Sequence, residues 1–149
     1  MHIVYTHMDN EMKKSDMELK FIYNKNQIKE REALAYAESI DQHYINEIDI
    51  EKVYLTERQW AEIAQKLGVE IQDLINTNND YYQDILKGKE FDEDDLLTLI
   101  KDHPQIVKTP ILESKGSAKF IKSPYDFNEL DMAFKEIKSE YANKGESDD

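Results

Sequence analysis

The 149-residue chain contains no cysteine. That absence excludes disulfides, thiolate or sulfenate chemistry and any zinc site built on sulfur. Arginine is almost as scarce: Arg31 and Arg58 are the two present, so a site needing three bidentate guanidinium clamps is excluded as well. No apolar run approaches the roughly 20 residues that a membrane-spanning helix needs. The opening "MHIVYTHMDNEMKKSDMELK" lacks the basic start, apolar stretch and small-residue cleavage site of a secretion signal, so the expected compartment is the cytoplasm. Positive charge is outnumbered, with 19 Lys and Arg against 32 Asp and Glu and a net charge of −13. Such a surface disfavours direct nucleic-acid or membrane binding, and would attract a protein partner with a basic surface.

What is present suits one globular domain. Hydrophobic residues make up 40% and aromatics 10%, enough for a single core. Residues 1–16 are polar without sustained periodicity and are expected to be a poorly ordered extension, and 143–149, "NKGESDD", a disordered acidic tail. A single domain over 17–142 is expected between them. "ELKFIY" (18–23) reads as a strand, and Asn26 is placed to cap a helix over 27–40 whose residues Ala33, Leu34, Ala37 and Ile40 share a face. "YINEIDI" (44–50) puts Tyr44, Ile48 and Ile50 on one side of a second strand. Strand, helix and strand within about thirty residues predict a parallel βαβ unit.

The middle is helical. "TERQ" (56–59) is a capping box, followed by Trp60, Ile63, Ala64 and Leu67 at helical spacing and by Gly68 as the stop. "VEIQDLI" (69–75), "DYYQDIL" (80–86, ended by Gly88) and "DDLLTLIKDH" (94–103) read as shorter helices, giving a helical insertion over about 55–103. "TPILE" and "AKFIK" around "SKGS" (114–117) predict a hairpin, with Gly116 supplying a positive φ. Ser123 and Pro124 open a final helix with a stripe of Phe127, Leu130, Phe134, Ile137 and Tyr141. The order βαβ, helices, ββα predicts an α/β, thioredoxin-like fold around a four-stranded mixed sheet. The histidines, His2, His7, His43 and His103, have no second ligand at helical spacing, so no metal site is expected.

Four stretches carry a family resemblance: "REALAYAES" (31–39), "LTERQWAEIAQKLGVEIQDLINT" (55–77), "LLTLIKDHPQIVKTPIL" (96–112) and "FIKSPYDF" (120–127). Together they resemble the arsenate reductase group of the thioredoxin-like fold, which includes glutaredoxin-coupled arsenate reductases and the Spx transcriptional regulators. In that family a reactive cysteine lies four residues before the helix arginine. Counting back from Arg31 reaches Gln27, and counting on from the strand reaches Ile28; neither is a nucleophile. The family's arginines correspond to Thr109, to Ser123 with Lys122 beside it, and to Glu57 with Arg58 beside it. Pro110 matches the proline that is cis in thioredoxin-like folds.

The resemblance therefore implies a redox-inactive member with no catalytic residue and no cofactor. Asn26, Gln27, Ile28, Arg31, Arg58, Thr109, Pro110 and Lys122 are the candidate remnant pocket, where a helix N-terminus offers N–H groups to an anion or a peptide carboxylate. The readings left open are a non-enzymatic binding or regulatory module, a glutathione or oxyanion binder or non-thiol enzyme using the same pocket, and a decayed paralogue.

Overall fold

The computed structural model describes residues 18–41, 45–123 and 126. The expected extension 1–16, Tyr44, three of the histidines, the apolar stripe from Phe127 to Tyr141 and the acidic tail lie outside them.

Strand β1 (Leu19–Tyr23) is followed by helix α1 (Ile28–Asp41) and strand β2 (Ile45–Asp49). β1 and β2 pair in parallel from Leu19↔Ile45 to Tyr23↔Asp49, as the βαβ reading requires. Strands β3 (Ile111–Glu113) and β4 (Ala118–Phe120) complete a sheet of order β2-β1-β3-β4, with β1–β3 and β3–β4 antiparallel.

Both faces of the sheet are covered, and β1 shows how period-two alternation divides the core. Leu19, Phe21 and Tyr23 turn to one side, where Leu34 and Ala37 of α1 pack with Leu112 and Ile121. Ile22 turns to the other side and joins Ile48, Ile50, Trp60, Ile63, Leu74, Ile100 and Ile111. That second and larger cluster is supplied mainly by the helical region between β2 and β3.

Helix α2 (Glu57–Leu67) begins where the capping box predicts it. The Thr56 hydroxyl accepts from the Gln59 N–H at 3.1 Å, and Gln59 Oε1 accepts from the Thr56 N–H at 2.8 Å. Gly68 ends it in the left-handed region at φ 74°. Helix α3 (Glu93–Asp102) is capped by Asp92, which accepts from the Asp95 N–H. Two of the expected helices depart from regular α-helical winding. The 69–75 stretch makes a single 3-10 turn, Ile71–Leu74, and 80–86 contains a π-helical turn, Tyr82–Leu86. A single turn cannot repay helix nucleation, and at Ile71–Leu74 tertiary bonds hold it instead: Lys108 donates to the Leu74 carbonyl and Asn76 to that of Ile106, both at 2.7 Å.

Two local expectations need correction. Gly116 does not adopt a positive φ, which among the described residues is confined to Gly68 and Gly88. The β3–β4 turn is closed by Ser114 and Ser117, whose backbone and hydroxyl groups bond each other at 2.8–3.2 Å, so no left-handed residue is required. Gln27, not Asn26, occupies the cap position of α1: its carbonyl accepts from the Glu30 and Arg31 N–H groups. Asn24 organises the preceding turn, accepting from Asn26 N–H through Oδ1 at 2.9 Å and from Gln27 N–H through its carbonyl at 3.0 Å.

Among the described residues Trp60 is the largest fully buried side chain, and its indole N–H has no hydrogen-bond partner there. Trp60→Ala is expected to cost about 3–5 kcal/mol and Thr56→Ala about 1 kcal/mol. Urea denaturation measures both, and Trp60→Phe, which sacrifices no hydrogen bond, should fall well below Trp60→Ala.

Candidate functional site

Because β1 and β2 are parallel and β3 is antiparallel to β1, the chain leaving β1 at Asn24 faces the chain entering β3 at Pro110. The peptide bond Thr109–Pro110 is cis, as the resemblance implies. A cavity of about 1060 Å³ opens between the first turns of α1, the Thr109–Pro110 segment and the chain just beyond β4.

Asn26, Gln27, Ile28, Thr109, Pro110 and Lys122 all line this cavity. The two arginines do not. The Arg31 guanidinium folds back on its own turn, and Nη1 donates to the Lys25 carbonyl at 2.6 Å. Arg58 lies on α2, 90% exposed and 3.5 Å from Glu62 one turn along. The two arginines counted among the candidate pocket residues are thus not in its lining; one guanidinium closes a loop and the other serves a surface pair.

Glu30, a residue outside the sequence-derived set, also lines the cavity. Glu30 Oε1 accepts from the Asn24 N–H at 2.8 Å, and the same carboxyl accepts a hydrogen bond from the Thr109 side chain. It therefore braces the β1–α1 turn against the cis-proline segment. Burial pushes the Glu30 carboxyl above the ordinary carboxylate range, and the hydrogen bonds from Asn24 and Thr109 only partly offset this. Sequence periodicity gave no sign of the role, because Glu30 reads as an ordinary acidic residue in the first turn of a helix.

The neighbouring backbone is mostly spoken for. Lys25 N–H donates to Asp49 Oδ1 at 3.3 Å, linking this turn to the loop after β2. The N–H groups of Lys122 and Ser123 donate to Asp126 Oδ2, which holds the Asp126 carboxyl below its usual range. The helix-start N–H groups of Ile28 and Lys29 have no protein partner among the described residues. Lysines 29 and 122 and glutamates 30 and 32 balance within the lining. Such a site can hold a chain by backbone and apolar contact, but offers an oxyanion no concentrated positive charge. Among the described residues no group of His, Asp and Glu is placed to hold a metal ion, and no helix is long and apolar enough to cross a membrane.

Glu30 has a pH signature. A carboxyl whose folded-state pKa exceeds its unfolded value stabilises the fold at low pH, and that contribution is lost as pH rises through the folded pKa. The stability of wild type relative to Glu30→Gln should therefore fall as pH rises from about 4 through the folded pKa, measured by urea denaturation at each pH. A relative stability rising over that interval would show that the hydrogen bonds outweigh burial.

Residues 21–130 match the model of the ArsC family. Among solved structures, a Yersinia pestis protein assigned as an arsenate reductase is similar at 24% identity and TM-score 0.67, over 75% of this chain and 99% of that one. An arsenate reductase from Vibrio cholerae is similar at 22% identity and TM-score 0.62, over 70% and 89%. A Staphylococcus aureus protein is similar at 26% identity and TM-score 0.60, over 74% and 96%. No curated protein sequence matches the chain. The mixed four-stranded sheet is the thioredoxin-like sheet of these relatives, and the chain belongs to the ArsC family.

Proposed function

We propose that this chain is a redox-inactive ArsC-family protein acting as a non-enzymatic binding module, which receives a segment of a protein partner in the groove beside Thr109–Pro110. The observation carrying this reading is a retained cavity whose lining includes a hydrogen-bonded carboxyl and no thiol. Thiolate attack on arsenic needs a thiol that no position supplies. The Gln27 amide has no anionic form near neutral pH, and the Glu30 carboxyl is engaged by the Asn24 N–H and the Thr109 side chain.

An oxyanion or glutathione site is supported less well. Arg31 is committed to the Lys25 carbonyl, and an anion entering the pocket would meet Glu30 and Glu32. A polypeptide needs no such clamp, because it can use the N–H groups of Ile28 and Lys29 and the exposed Ile28 side chain.

Immobilised wild type should retain a stoichiometric protein from the native host's lysate, and a Gln27→Glu/Ile28→Glu variant should lose it. Neither residue is buried, so the variant should keep the wild-type melting temperature. Glutathione, arsenate and sulfate should leave the melting temperature unchanged. A ligand present at a hundredfold excess over its Kd would add about 2.7 kcal/mol, and such a gain would move the reading to a small-molecule site.

A further inference from the structure

We infer that the segment received is extended, acidic and partly apolar; this rests on the groove reading above and names the chemistry of its occupant. β1 and β2 run in parallel, β3 antiparallel to β1, and β4 antiparallel to β3. The chain leaving β1, β2 and β4 and the chain entering β3 are therefore gathered at one end of the sheet. That end carries five exposed lysines: Lys25, Lys29, Lys52, Lys108 and Lys122.

None of the five forms an ion pair among the described residues, where Arg58, Lys66 and Lys101 hold the pairs. The acids at the lysine-rich end are largely occupied. Glu30 braces the turn, Asp49 accepts from the N–H groups of Lys25 and Glu51, and Asp126 accepts from those of Lys122 and Ser123. Glu32 and Glu51 remain exposed. Within a protein of net charge −13 this end is therefore close to charge balance, and on its rim the five exposed lysines outnumber the two exposed carboxylates.

Apolar surface lies on the same rim. Ile28 is 64% exposed, Val53 43% and Tyr54 77%, the last two in the loop that Asp49 ties to the β1–α1 turn. Lysines around exposed isoleucine, valine and tyrosine complement a segment in which carboxylates flank apolar side chains. The whole-molecule charge that favours basic partners at long range does not describe this end. A nucleic acid fits less well, because its phosphates would continue past the lysines onto an acidic surface.

Two fluorescent peptides of equal length and equal Leu and Tyr content, one with Asp and Glu and the other with Lys at the polar positions, test the inference by anisotropy, with labelled oligothymidine as a third probe. The acidic peptide should bind about tenfold or more tighter than the lysine peptide and weaken as salt rises. Its affinity should fall about tenfold in Lys29→Glu/Lys122→Glu and stay unchanged in Lys87→Glu, an exposed site in the helical region. A lysine peptide bound equally or more tightly overturns the acidic preference but leaves the groove reading standing. Failure of both peptides overturns the groove reading and this inference with it. Oligothymidine bound with the same lysine dependence overturns it in favour of single-stranded nucleic acid.

Discussion

The site depends on one brace, the Glu30 carboxyl held between the Asn24 N–H and the Thr109 side chain. β1 sits in the middle of the sheet, so the turn that follows it must be fixed against β2 on one side and the chain entering β3 on the other. Asp49 makes the first connection through the Lys25 N–H, and Glu30 makes the second. With both in place, the start of α1 faces the cis Thr109–Pro110 segment across a preserved groove.

The same brace holds the ArsC-family frame in a chain that has no thiol. A thiol site needs an anionic sulfur and cations to stabilise it. Here the position is Gln27 or Ile28, the nearby guanidinium ties a backbone carbonyl, and a raised-pKa carboxyl lines the cavity. Each of these features works against oxyanion chemistry and none against backbone pairing. The walls of the groove are also the ends of buried strands, so the two core clusters preserve its shape whether or not a reaction is under selection.

Much of the architecture was legible because local signals agreed with tertiary burial. The Thr56–Gln59 box, the Trp60 stripe and Gly68 determine α2 almost unaided, and alternation in β1 sorts Phe21 and Ile22 to opposite faces. Legibility failed where polar side chains choose between local partners. Asn24 and Asn26 are equally good turn formers on paper, and the choice depends on which one Glu30 reaches. Spacing could not show that Arg31 folds back onto Lys25 or that Arg58 stays on the outside of α2. Six of the eight proposed pocket residues meet at the cavity because strand order brings the ends of β1 and β3 together, while Glu30 was hidden by a helix-start position that needs no special explanation.

The measurement that tests the account most directly is amide hydrogen exchange of the full chain, free and bound to the protein it retains from its host. The account predicts added protection at Asn26–Glu32, at Thr109 and at Lys122–Ser123, with α2 and α3 unchanged. Protection confined to α2 and α3, with the groove exchanging as in the free protein, would contradict it.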